Sequence, residues 1–312
     1  MTRISDTALD VFPLCLGGNV FGWTADETQS VEVLDAYAAA GGNFIDTADV
    51  YSAWAPGHSG GESEAILGRW MATRRNRDRI VLATKVGMLP GLTGLSARTI
   101  HAAAEASLRR LQTDRIDLYY AHRDDPATPL EETLGALDEL VRAGKVRYIA
   151  ASNYSAGRLS EALAISRRER FARFVALQPH YNLVHRSEYE GPMLELCERE
   201  NVACAPYWAL AKGFLTGKYR PGIPVQSARA AGASEYLDAR GLRVLEALRG
   251  LASAHRTTPA AVALAWLLAR PTVVAPIASA RTREQLAELL PIATLRLAPQ
   301  EVEQLTVASD SQ

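Results

Sequence analysis

Short apolar runs that close on polar residues alternate along this chain with longer stretches of helical period. That alternation predicts βα units and a parallel sheet. Eight runs qualify as strands, at residues 14–17, 43–46, 80–85, 117–122, 147–152, 174–178, 202–206 and 272–276. Helical patterns fill the gaps, at residues 27–40, 62–73, 97–110, 130–143, 156–167, 188–200 and 237–254, with later ones at 258–269, 282–290 and 299–308. Asp26 and Ser96 stand where N-caps are needed, and Gly41, Gly42 and Gly144 supply stops. Eight such units predict an α/β fold of the (β/α)8 TIM-barrel type. It would form one domain over residues 1–312, with residues 1–10 as a small cap beneath it. The pattern alone leaves an open doubly wound sheet as the alternative. Residues 212–235 read as a long Gly/Ala/Pro-containing connection after the seventh strand, and a loop of that length points to function.

Composition narrows the function. The 312 residues carry 34 Lys plus Arg against 35 Asp plus Glu, so the basic surplus that phosphate-backbone binding requires is missing. Nucleic acid is therefore not expected as a partner. Cys15, Cys197 and Cys204 have neither disulfide nor zinc spacing, which fits a reducing compartment. Residues 1–10 lack the apolar stretch of a signal peptide, and no run of 18 apolar residues occurs, so the expectation is a cytoplasmic protein without a membrane partner.

In a barrel, reactive side chains come from the C-terminal ends of strands. Here those ends carry Asp46, followed closely by Tyr51, then Lys85, His122, Ser152 with Asn153, Gln178, and Tyr207 with Trp208. A lysine ammonium beside a tyrosine favours the phenolate and brings a group of pKa about 10 nearer to working pH. A carboxylate can hold that ammonium, and a histidine can hydrogen-bond a substrate oxygen. Taken singly, Asp46 and Tyr51 also fit turn capping or packing, and Lys85 or His122 a solvated polar position. Convergence of all four on one barrel face is what favours chemistry. The segment 55–61 follows Tyr51 directly and borders a candidate substrate pocket, with Trp54 as an apolar wall. No GxGxxG occurs, and the segment 213–219 (GFLTGKY) is one residue short of a phosphate loop and lacks its Ser/Thr, which disfavours Rossmann and ATPase readings.

With these residues in view, the chain resembles the aldo-keto reductase superfamily over essentially its whole length. The motifs are LGGNVFG at 16–22, DTADVY at 46–51, Lys85 after its apolar strand, LYYAH at 118–122, GKVRYI at 144–149 leading to Ser152 and Asn153, Gln178, GFLTGKY at 213–219, and IASARTREQ at 277–285. The resemblance implies a catalytic tetrad of Asp46, Tyr51, Lys85 and His122, with NADPH/NADP+ as cofactor. It implies that Ser152, Asn153 and Gln178 hold the nicotinamide carboxamide and that Tyr207 stacks on its ring. Leu210, Gly213 and Lys218 would lie along the pyrophosphate, Ser279, Arg281 and Gln285 at the adenosine phosphate, and Asn19 and Val20 also on the cofactor. Trp208 stands where many members have Ser, Leu289 where many have Asn, and Ala278 where Gly is common.

The implied activity is reduction of a small-molecule aldehyde or ketone to an alcohol, with Tyr51 donating the proton. Two rivals stand beside it. A barrel glycoside hydrolase would use two carboxylates among Asp46, Asp49, Asp124 and Asp125. A cofactor-carrying interaction module resembling potassium channel beta subunits would use the same fold without turnover. The natural carbonyl and the oligomeric state leave no mark in the sequence.

Overall fold

In the computed structural model, which describes residues 1–223 and 225–310, eight parallel strands form one curled sheet. In chain order they are β1 (Cys15–Gly17), β2 (Phe44–Asp46), β3 (Val81–Val86), β4 (Ile116–Ala121), β5 (Val146–Ser152), β6 (Phe174–Gln178), β7 (Ala203–Cys204) and β8 (Ile277–Ala278). Across the sheet they run β7-β6-β5-β4-β3-β2-β1-β8, each beside its sequence neighbour until β8 returns next to β1. The chain just before β8 closes the circle: the Cys204 amide donates to the Thr272 carbonyl at 2.8 Å, and the Val274 amide to the Cys204 carbonyl at 2.9 Å. The result is a (β/α)8 barrel. The eighth strand is displaced from its expected place at 272–276, because Pro276 has no amide to give a ladder. Regular pairing with β1 begins one residue later, at Ile277 opposite Cys15.

Helices cover the outside, and their boundaries follow local chemistry. The helix Ala97–Leu111 starts where Ser96 accepts from the Thr99 amide and ends at Gln112 in the left-handed region. The helix expected at 188–200 is shorter, Pro192–Arg199, because Gly191 at φ 94° and Pro192 at the first turn fix a later start. The expected connection 212–235 holds a 3-10 segment, Ala211–Thr216, and a short helix, Ala230–Ser234; within it Pro224 lies outside the described residues, as do Ser311 and Gln312 at the end of the expected domain. The start of the chain is a hairpin, Thr2–Arg3 against Asp10–Val11, whose Ile4, Leu9 and Val11 pack into the barrel floor.

Strand pleating separates two cores. Leu82 and Val86 face the helices, whereas Val81 and Ala83 face the barrel axis with Phe44, Leu118, Tyr120, Ala150, Ala176 and Ala203. Bulky Phe44, Leu118 and Tyr120 thus meet small alanines from the opposite strands, filling the interior without a pore. Successive side chains alternate faces, so the next inward positions above these residues are Asp46, Lys85, His122, Ser152 and Gln178. The floor is hydrocarbon and the rim is polar.

Candidate active site

The rim residues open into one cavity of about 880 Å³. Asp46 and Lys85 are buried at its base. The Lys85 ammonium has three hydrogens and three acceptors: Asp46 Oδ2 at 2.6 Å, the Tyr51 hydroxyl at 2.7 Å and the Thr47 carbonyl at 2.8 Å. Tyr51 in turn donates to Asp46 Oδ2 at 3.1 Å. The loop that carries Tyr51 back over β2 is fastened by the Gly18 amide to the Asp46 carbonyl, 2.7 Å, and by Thr47 Oγ1 to Ser63 Oγ, 2.8 Å. Gly17 serves close approach: a Cβ there would lie 2.7 Å from Ser279 Oγ.

Burial and the Asp46 carboxylate hold the Tyr51 phenol well above its ordinary value, while burial pulls the Lys85 ammonium down despite Asp46. Desolvation of the anion and the negative charge of Asp46 set that direction for Tyr51, so the phenol keeps its proton. His122 stands edge-on to Tyr51, ring centroids 6.2 Å apart. Burial, then Lys85 and Arg123, push its imidazole well below the usual range, so it is a neutral ring with one N–H to offer. Its Nδ1 has no hydrogen-bond partner.

Across the mouth, the Gln178 side-chain amide donates to Asp46 Oδ1 at 2.9 Å and its backbone carbonyl accepts from Ser152 Oγ at 2.8 Å. Asn153, at φ 55°, donates to the His122 carbonyl at 2.9 Å and accepts from the Tyr207 hydroxyl at 2.9 Å. Asn19, Val20, Leu210, Gly213, Lys218, Ser279, Arg281 and Gln285 all line the same cavity, with Ser279 donating to Asn19 Oδ1 at 2.6 Å and Gln285 accepting from the Arg281 amide at 3.0 Å. Of the residues singled out for the site, Lys85 lies beneath the lining, hydrogen-bonded to Tyr51, and Trp54 lies off it. It is 49% exposed, with its ring 6.0 Å from that of Tyr51, and the apolar wall is formed instead by Trp23, which packs edge-on against it.

Sequence reading missed Arg229, Arg123, Trp23 and Met88 on the lining. Arg229 sits in the connection already marked by its length, but no periodicity says where such a loop folds back. Burial and the nearby Arg281 lower its guanidinium, and burial, then Arg281, lower the Lys218 ammonium. Among the described residues, neither these two nor Arg281 has a carboxylate within ion-pair distance. Lys218, Arg229 and Arg281 share one cavity with Glu288 as the acid near Lys218, and this positive surplus suits a polyanionic ligand such as a dinucleotide. The fit to a nicotinamide dinucleotide is therefore good on size, donors and charge.

The carboxylates of the glycosidase alternative do not converge. Asp124 accepts from Arg158 at 2.9 Å, Asp125 accepts from Thr128 at 2.7 Å, and Asp49 is buried with both oxygens unpartnered, its pKa pushed up to about 7 by burial and by Glu64. Of the four, only Asp46 reaches the cavity, and it is committed to Lys85.

Comparison with known proteins agrees. Residues 13–310 match the model of the Aldo/keto reductase family. The chain is 35% identical to an uncharacterized oxidoreductase, YrpG, of Bacillus subtilis, over 93% of this chain and 89% of that protein. It is 32% identical to a norsolorinic acid reductase of Aspergillus flavus (96% and 78% covered). With an aryl-alcohol dehydrogenase of Pestalotiopsis microspora it shares 30% identity (96% and 79% covered). No helix among the described residues is long and apolar enough to cross a membrane. With a polar constellation at the mouth of a (β/α)8 barrel and a family match over nearly its whole length, the chain belongs to the aldo/keto reductase family of oxidoreductases.

Proposed function

We propose that this enzyme reduces an aldehyde or ketone to an alcohol with NADPH, and that Tyr51 is the proton donor. The observation that carries the proposal is the Lys85 ammonium held between Asp46 Oδ2 and the Tyr51 hydroxyl, at 2.6 and 2.7 Å, at the base of an open cavity. When bound, the nicotinamide supplies the hydride. As negative charge grows on the carbonyl oxygen, Tyr51 turns its hydroxyl hydrogen from Asp46 to that oxygen, which as an alkoxide is the stronger base. Lys85 then faces the tyrosinate at hydrogen-bond distance and stabilises it, while the neutral His122 donates to the same substrate oxygen. Asp46 keeps Lys85 charged and aimed.

In this reading Ser152, Asn153 and Gln178 hold the carboxamide and Tyr207 supports the ring. Leu210, Gly213 and Lys218 follow the pyrophosphate, and Asn19, Val20, Ser279, Arg281 and Gln285 complete the adenosine end. Arg281 suits a 2′-phosphate because its planar guanidinium donates two parallel hydrogen bonds. An aryl carbonyl is the favoured substrate, supported by the aromatic wall of Trp23, Tyr51 and Trp208 and by the name of the aryl-alcohol dehydrogenase relative. The test is a panel of benzaldehydes, aryl ketones and short aliphatic aldehydes, followed by NADPH consumption. Turnover with aryl carbonyls at the highest kcat/KM is expected. NADPH binding without oxidation by any carbonyl would reject the reading.

A further inference from the structure

Outside the cavity, Tyr207 has a second partner. The His180 ring stacks on it with centroids 5.4 Å apart and planes 20° from parallel, and His185 stacks on His180 at 3.6 Å and 13°. Glu188 Oε1 lies 3.1 Å from His185 Nε2. One ligand atom from each of the three lies within 4.8 Å of the other two. None of these residues has a part in the carbonyl chemistry above.

We propose that His180, His185 and Glu188 form a binding site for a divalent transition-metal ion of the zinc class. The donor set is two imidazole nitrogens and one carboxylate oxygen, which suits Zn2+, Ni2+ or Cu2+ and not Mg2+ or Ca2+, whose shells are built from oxygen. Three protein ligands leave the fourth tetrahedral position to water.

Local sequence builds the site. β6 ends at Gln178, and Pro179 is followed at once by His180. Asn182 and His185 exchange backbone hydrogen bonds at 3.1 and 3.0 Å, and Asn182 Oδ1 accepts from the Val184 amide at 2.9 Å. That tight turn folds His185 back over His180, and Glu188 follows three residues later. All donors come from one short segment, so little loop entropy is lost in bringing them together.

The nitrogens are chemically prepared. Asn182 Nδ2, fixed as the amide nitrogen by its donation to the Trp208 carbonyl at 2.9 Å, faces His180 Nε2 at 3.4 Å. An amide nitrogen only donates, so this imidazole nitrogen presents its lone pair. A contact of 3.4 Å is weak, and a metal–nitrogen bond of about 2.0–2.1 Å replaces it readily. Because the rings are nearly parallel, their lone pairs lie in separate planes and do not converge, so closure on an ion requires the His185 ring to turn about its side-chain bonds. The side chains of His185 and Glu188 are 26% and 68% exposed, so the ion reaches them from solvent. Stacked imidazoles pinned by one acid would otherwise be a purely structural clasp.

The deciding experiment is calorimetric titration of the EDTA-treated, dialysed full-length protein with ZnCl2, beside His185→Asn and Glu188→Gln, with MgCl2 as the control ion. One equivalent of Zn2+ is expected on the wild type, with affinity lowered at least tenfold in each variant and no saturable Mg2+ binding. Melting curves check that the variants are folded. Glu188→Gln, at an exposed position, carries the test alone if His185→Asn does not fold. Absence of saturable Zn2+ binding by the wild type, or equal affinity in wild type and folded variants, overturns the assignment.

Discussion

Gln178, at the end of β6, donates its amide to Asp46 Oδ1 across the barrel mouth at 2.9 Å, while Lys85 holds Oδ2 at 2.6 Å. A residue proposed to touch the cofactor is thereby tied to the carboxylate behind the proton donor. Removing the amide with Gln178→Ala leaves a buried oxygen without its donor, at a cost of about 1–3 kcal/mol. Thermal melting and steady-state kinetics should show a lower Tm together with lower kcat. Wild-type values for both would show that the tie has no consequence.

Tyr51→Phe deletes the hydroxyl and keeps the ring that packs against His122 and Trp54. Turnover should fall on the order of 10²-fold or more with cofactor affinity intact. Single-turnover NADPH oxidation with a reactive aldehyde, beside a cofactor titration, makes the measurement. A near wild-type rate would remove Tyr51 from the proton step.

Lys85→Met removes the ammonium and strands Asp46 inside the barrel, where breaking a buried pair costs about 3–5 kcal/mol. Adding Asp46→Asn should return part of that stability without returning activity, because both residues act through Tyr51. Denaturant melts of the two single variants and the double variant give the coupling directly; simple additivity would contradict it.

Arg281→Ala should weaken NADPH much more than NADH, since only the former carries the 2′-phosphate that a guanidinium fork can grip. Fluorescence titration with both cofactors decides. Equal losses would place Arg281 elsewhere on the dinucleotide.

Asp49 makes stability depend on pH. Its carboxyl is pushed from an ordinary 3.8 up to about 7 in the folded chain, by burial and then by Glu64. Between those limits the folded chain keeps a proton that the unfolded chain has lost, so this group's contribution to stability falls as pH rises through the window. The full effect, up to about 4 kcal/mol, is reached above pH 7. Asp49→Asn should therefore melt closer to wild type at pH 5 and above it at pH 8. A constant difference across that range would contradict the assignment.

Much of this was legible in the sequence because polar residues ending apolar runs mark strand termini, and the pleat then brings Asp46, Lys85, His122, Ser152 and Gln178 to one rim. The start of β8 was not, since Pro271 and Pro276 bracket a segment that closes the barrel with isolated bonds instead of a regular ladder. Arg229 and Trp23 were hidden because they reach the cavity from loops, whose paths depend on contacts distant in sequence. The position of Trp54 after Tyr51 gives proximity but not direction, and its ring packs edge-on against Trp23 beside the cavity. The state of Tyr51 turned on burial, which a one-dimensional pattern does not measure.

The inward files of the strands divide the molecule's inheritance. Val81, Ala83 and Lys85 share one side of β3, so deletion of a single residue before Lys85 in that strand would turn the ammonium out among the helices while the apolar count hardly changed. Reactivity is thus written in odd and even. The width of the cavity depends instead on the loops that bring Trp23, Met88 and Arg229 to its lining, and these can grow or shrink without disturbing that parity. A lineage built on this scaffold is free to change its diet while its chemistry stays locked to the pleat.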